Sequence, residues 1–159
     1  MKLLKDILYK VNLDLIHGDR DVTISHLCFD SREVKKGSLF IALNGTLSDG
    51  HDFIEMAINS GASAIVCEKL PLNINEAVVY VLVKDSSKAL GHISANFYDN
   101  PSEKIKLIGV TGTNGKTTVA TLLHSLYQSL GHKSGLLSTV VYKIGSASYE
   151  ATHTTPDAI

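Results

Sequence analysis

The sequence predicts an α/β protein in two parts, a mixed α/β unit over residues 1–100 and the beginning of a parallel-sheet unit over residues 101–159. Short apolar, β-branched runs alternate with segments whose apolar residues recur at three- and four-residue steps, the periods of strand and helix. A polar, turn-forming stretch, Asp99-Asn100-Pro101-Ser102, separates two complete patterns and marks the boundary. Beyond it come an apolar run, a glycine-rich loop, a helical pattern and a further apolar run. That order is β-loop-α-β, the unit of a parallel sheet with crossover helices.

Taken in order, Leu3, Leu4, Ile7, Leu8 and Val11 form one face of an amphipathic opening helix. Residues 22–29 and 38–43 read as two strands around the turn-rich segment from Asp30 to Gly37. The polar connection from Asn44 to Gly50 leads to a helix over 53–60, with Asp52 as N-cap and Gly61 at its end. Residues 64–67 and 78–83 are β-branched strand runs, and 86–98 is a helix that Pro101 follows as a stop signal. In the second part the strand covers 105–110, the helix 116–130 closed by Gly131, and the next strand 133–139. The chain closes on Thr154-Thr155-Pro156-Asp157-Ala158-Ile159, where Pro and Asp open a helical turn that does not continue. The expectation is a piece of a longer protein.

Composition narrows the chemistry. With 44% hydrophobic and 19% charged residues, 159 residues suffice for one good core or two small ones. A formal net charge of −1 supplies no broad positive field for nucleic acid or acidic membranes, so any anion must be held locally. Charged residues interrupt the apolar N-terminus, which argues against a signal peptide or membrane span and for a cytoplasmic protein. Cys28 and Cys67 each lie inside an apolar run and are expected as buried, reduced thiols. The seven histidines show no metal-ligand spacing.

The chemistry concentrates in Thr111-Gly112-Thr113-Asn114-Gly115-Lys116-Thr117-Thr118. A polyphosphate is held without large net charge when several backbone N–H groups converge on it at a helix N-terminus, where the dipole adds partial positive charge. Gly112 and Gly115 lack Cβ atoms that would block that approach. Lys116 can place a cation on the terminal phosphates, and Thr117 can offer its hydroxyl to Mg²⁺, a hard ion that prefers oxygen. Thr118 caps or packs the helix. The loop departs from the common Gly-x-x-x-x-Gly-Lys-[Ser/Thr] spacing, because Val110 stands where its first glycine would be. The flanking strand and helix patterns support the phosphate-loop reading in spite of that.

Residues 112–118 resemble the ATP loop of the Mur ligases and their folylpolyglutamate synthetase relatives. Asp30-Ser31-Arg32 through Leu43, continuing to Gly45 and Asp49-Gly50-His51-Asp52-Phe53-Ile54, resembles the N-terminal signature of the MurE and MurF types. His153-Thr154-Thr155-Pro156-Asp157 is similar to the substrate segment of the MurE type. The resemblance implies a UDP-binding first domain over 1–100 and the truncated start of an ATP-binding domain over 101–159. It implies an ATP-dependent ligase, using Mg²⁺, that adds a diamino acid (meso-diaminopimelate or L-lysine) to UDP-N-acetylmuramoyl-L-alanyl-D-glutamate through an acyl-phosphate intermediate in peptidoglycan precursor synthesis.

Carried over residue by residue, the resemblance assigns Phe29 and Ser31 to the UDP moiety and Thr46, Leu47 and Ser48 to the uridine and pyrophosphate loop. It assigns His153, Thr154 and Thr155 to the muramoyl-peptide, Gly112 to Thr118 to ATP, and Lys116 to catalysis. Residue chemistry alone is compatible with ordinary strand-end loops at Phe29 to Ser48. His51 reads as a structural turn histidine, and Asp30 and Arg32 as a surface ion pair. The alternatives are a MurF-type ligase adding D-alanyl-D-alanine, and a non-catalytic nucleotide-binding module. Metal-binding acidic and histidine residues, a carbamylated lysine and a C-terminal domain, which such a ligase also needs, are not recognised here, so this chain alone is expected not to turn over.

Overall fold

The structure, a computed structural model, describes residues 1–45, 48–151 and 159. The chain divides into two compact units, one running from Met1 to Lys104 and one beginning at Ile105.

In the first unit β1 (Lys2–Leu3) runs into a single turn of helix, α1 (Leu4–Ile7), followed by β2 (Leu15–His17), β3 (Thr23–Ile24) and β4 (His26–Cys28). A 3₁₀ turn at Ser31–Glu33 leads to β5 (Ser38–Ile41), and a second, Gly50–Phe53, to α2 (Ile54–Asn59). Then come β6 (Ala62–Cys67), β7 (Val79–Leu82), α3 (Ser86–Phe97) and a 3₁₀ turn at Pro101–Lys104. The main sheet has the order β2-β7-β6-β5-β4. β4, β5, β6 and β7 are mutually parallel, and β2 closes one edge antiparallel to β7. β1 pairs separately with β3.

A parallel sheet is covered on both faces, so its strands are apolar on both sides and alternate residues feed two cores. Leu39 and Ile41 of β5, Ala64 and Val66 of β6, and Val79 and Val81 of β7 meet Leu4, Ile7, Leu90 and Ile93 on the α1 and α3 face. Phe40, Ile65, Cys67 and Tyr80 from the same strands meet Ile54 and Ala57 of α2 on the other. Tyr80 is fully buried, and its hydroxyl accepts the Asn75 N–H at 3.2 Å. Cys28 and Cys67 are free, buried thiols, and burial pushes both up to about 11.

The first unit departs from expectation in several places. The opening helix is one turn, because Lys2 and Leu3 are held extended against Ile24 and Thr23, and the Asn96 side-chain amide donates to the Ile7 and Tyr9 carbonyls at 2.8 and 2.7 Å. Carbonyls engaged in this way do not carry the helix onward. Asp52 does not cap α2: it lies within the 3₁₀ turn Gly50–Phe53, which Asp49 caps by accepting the His51 N–H, and α2 itself begins after Phe53 without a side-chain cap. β2 was not expected: it is a three-residue edge strand with Leu15 half exposed, too short to register as a pattern.

The second unit contains α4 (Lys116–Ser129), β8 (Gly135–Leu137), β9 (Val141–Ile144) and β10 (Ala147–Glu150). The three strands form an antiparallel meander in the order β10-β9-β8. Residues 105–110, expected as a strand, form none, and Ile105, Leu107 and Ile108 are exposed. A strand exists by pairing, and among the described residues no other segment is laddered to this one.

Candidate functional site

At the junction into α4, Gly112 and Gly115 both have positive φ, at +149° and +76°. Gly115 is the N-cap of α4 in the left-handed region, and its carbonyl accepts the Val119 N–H at 2.9 Å. No side chain among the described residues caps this helix end, so its first-turn N–H groups face outward with the dipole behind them. A Cβ built on Gly115 meets nothing within 4 Å, so glycine is required there for its left-handed conformation rather than for internal packing. The Lys116 ammonium turns back over the loop and donates to the Gly112 carbonyl at 2.6 Å and the Thr113 carbonyl at 3.3 Å. Thr113, Asn114 and Thr118 are exposed and Thr117 half-buried on the same turn.

Behind the loop, α4 is tied to the meander through His124, which is buried and whose Nδ1 pairs with the Ser134 hydroxyl at 2.9 Å. That anchor leaves the loop itself open.

In the first unit the candidate residues follow the carboxyl ends of parallel strands, the edge at which open α/β sheets bind ligands. Phe29 and Ser31 follow β4, with Phe29 half-buried and Ser31 buried at the start of its 3₁₀ turn. The turn is pinned by Asp30, whose carboxylate accepts the Arg32 backbone N–H at 2.9 Å and the Arg32 guanidinium. The guanidinium and then the backbone N–H hold the Asp30 carboxyl down at about 2. Ser48 follows β5 and is exposed, its carbonyl accepting the Gly45 N–H at 3.1 Å. Thr46 and Leu47, and likewise His153, Thr154 and Thr155, lie outside the described residues.

Sequence reasoning missed what sets the 44–50 loop. Asn44 and Asp49 are bridged antiparallel, and the Gly50 N–H donates to the Leu43 carbonyl at 2.7 Å. A Cβ on Gly50 would stand 2.6 Å from that carbonyl oxygen, so no other residue fits without displacing backbone. Asp49 accepts from the His51 backbone N–H at 3.0 Å, from Lys69 Nζ at 2.9 Å and from His51 Nδ1 at 2.5 Å. These three donors, the backbone N–H foremost, lower the Asp49 carboxyl well below the usual carboxylate range. Asp49-Gly50-His51 was visible as a turn, but Glu68 and Lys69, brought to it by the parallel pairing of β5 and β6, carried no sequence signal.

An α/β unit with helices on both faces of its sheet, followed by a glycine loop capping a long helix, places the chain among α/β proteins with an open helix N-terminus after a glycine loop, the kind of end that suits phosphate. Residues 23–98 match the family model described as the Mur ligase family catalytic domain, and residues 110–159 match the Mur ligase middle domain. The chain belongs to the Mur ligase family.

It is 55% identical over 157 residues to the UDP-N-acetylmuramoyl-L-alanyl-D-glutamate--2,6-diaminopimelate ligase of Cytophaga hutchinsonii, covering 98% of this chain and 32% of that protein. A solved structure of a ligase of the same name is 25% identical, with a TM-score of 0.70 over 99% of this chain and 31% of its own. MurF ligase from Thermotoga maritima, solved in complex with ADP, is 32% identical with a TM-score of 0.52 over 70% of this chain and 25% of its own. The chain spans about a third of the length of the curated relatives it matches.

Proposed function

We propose that this chain supplies the UDP-substrate domain, residues 1–100, and the opening of the ATP-binding domain, from 101, of a MurE-type ligase. The reaction is ATP-dependent addition of 2,6-diaminopimelate to UDP-N-acetylmuramoyl-L-alanyl-D-glutamate in peptidoglycan precursor synthesis. The observation that carries this reading is 55% identity over nearly the whole chain to a ligase of that name. The relatives' names favour diaminopimelate over L-lysine as the amine. The MurF-type alternative is supported only by more distant structural likeness.

The loop fits ATP and Mg²⁺. Its two positive-φ glycines leave the helix N-terminus open, and a lysine ammonium and a threonine hydroxyl stand on the first turn. The amides of residues 112–118 would hold the phosphates of a nucleotide; the MurF ligase from Thermotoga maritima is solved in complex with ADP. Lys116, which now donates to the Gly112 and Thr113 carbonyls, would hold the terminal phosphate, and the Thr117 hydroxyl would hold the metal. ATP supplies the phosphoryl group that activates the substrate carboxylate. Phe29, Ser31 and the 46–48 loop take the uridine diphosphate end, and His153, Thr154 and Thr155 the muramoyl-peptide. No helix among the described residues is long and apolar enough to cross a membrane.

Calorimetric titration of this chain with Mg·ATP and with UDP, beside an assay of ADP formation in the presence of dipeptide substrate and diaminopimelate, tests the reading. Both ligands are expected to bind without turnover. A chain extended to the length of the relatives is expected to turn over with diaminopimelate and not with D-alanyl-D-alanine. Steady turnover with D-alanyl-D-alanine alone would overturn the proposal.

A further inference from the structure

We infer that His51 is a positioning residue for the uridine diphosphate end of the substrate, acting through Asp49 on the stem of the 44–48 loop; this rests on the UDP-binding reading of the first unit. The His51 side chain is 5% exposed and both of its ring nitrogens are engaged. Nε2 accepts the Glu68 backbone N–H at 2.8 Å, which fixes the neutral ring with its proton on Nδ1. Nδ1–H then donates to Asp49, the residue that closes the loop opposite Asn44. Glu68 is itself held, its carboxylate accepting the backbone N–H and hydroxyl of Ser86 at 2.8 Å each. A continuous line of hydrogen bonds therefore runs from the loop after β5, across the end of β6, to the first turn of α3.

The same geometry excludes His51 as a general base. Its acceptor nitrogen is already occupied by a backbone amide and its other nitrogen faces a carboxylate, so neither is directed at a ligand. The ring ties the stem of this loop to the end of β6, beside the Asn44–Asp49 bridge and the Gly45–Ser48 and Gly50–Leu43 backbone contacts. Lys69 completes the arrangement by neutralising the outer oxygen of Asp49. Preorganising a binding loop lowers the ordering cost of association, so loss of the tether is read as weaker binding at that loop alone.

The test titrates UDP and Mg·ATP into the wild-type chain and into His51→Ala, His51→Asn, His51→Gln and Lys69→Met, at a temperature where circular dichroism shows each folded. UDP affinity is expected to fall about tenfold or more in His51→Ala, with ATP affinity unchanged. His51→Asn, whose amide can still donate towards Asp49, recovers more of it than His51→Gln. Lys69 is exposed, so Lys69→Met keeps the question answerable if the histidine variants unfold; a several-fold loss is expected. Nitrogen chemical shifts of the His51 ring should report the Nδ1–H tautomer. Folded variants that bind UDP as the wild type does, or an Nε2–H ring, would overturn the inference and leave the UDP reading intact. A wild-type chain that binds ATP but not UDP overturns both.

Discussion

Phe40, Ile65 and Tyr80 in the first unit have no exposed surface, whereas Leu122, Leu126 and Leu137 in the second are more than half exposed. Among the described residues, Leu136 alone of the second unit's hydrophobic side chains is buried, against a two-sided core in the first. The apolar spacing of α4, at Val119, Leu122, Leu123 and Leu126, is as regular as that of α3, at Ala89, Leu90, Ile93 and Phe97. Periodicity thus states which face of a helix is to be covered; burial follows only where a sheet lies against it.

The contrast can be broken most strongly in the first core. Phe40→Ala should destabilise that unit by about 3–5 kcal/mol, read by urea unfolding followed by circular dichroism; a change under about 1 kcal/mol would show the core to be looser than its burial implies. In the second unit the large effect is on ligand, not stability. Lys116→Ala is expected to weaken Mg·ATP binding about a hundredfold in calorimetry while leaving the unfolding of the first unit unchanged. Next in size, Gly115→Ala introduces left-handed strain of about 1–2 kcal/mol at an otherwise open position, measured as a comparable loss of ATP affinity.

Acid sharpens the same comparison. The folded Asp30 carboxyl is depressed to about 2, so its stabilisation is in place above the ordinary carboxylate range of about 4 and is lost as pH falls through about 2. Asp49, also depressed, acts in the same direction. Acid unfolding of the first unit should therefore steepen between about pH 4 and pH 2, and Asp30→Asn should flatten it. Smallest of all, Leu126→Ser should change stability by less than about 1 kcal/mol, because about half of the residue is already exposed.

Much of the architecture was legible as pattern. The runs at 38–43, 64–67 and 78–83 became β5, β6 and β7 because alternate β-branched and apolar residues suit a sheet covered on both faces. Gly61 and Gly131 were legible as helix ends, and both have positive φ. The helix after Gly115 began at Lys116 as its sequence indicates. What failed was short or relational. β2 is three residues long and owes its existence to the edge of β7. The opening helix was cut by an amide 89 residues away.

By itself the sequence determined the α/β class, the phosphate-loop pattern at 111–118 and its resemblance to the Mur ligases, because glycine, lysine and apolar period are local properties that act through adjacent backbone. Only the tertiary structure decided that Glu68 and Ser86 lock His51 against Asp49, and that residues 105–110 carry an apolar run without becoming a strand. Those outcomes depend on partners distant in the chain, and a hydrogen bond or a ladder has no existence until both sides have been brought together.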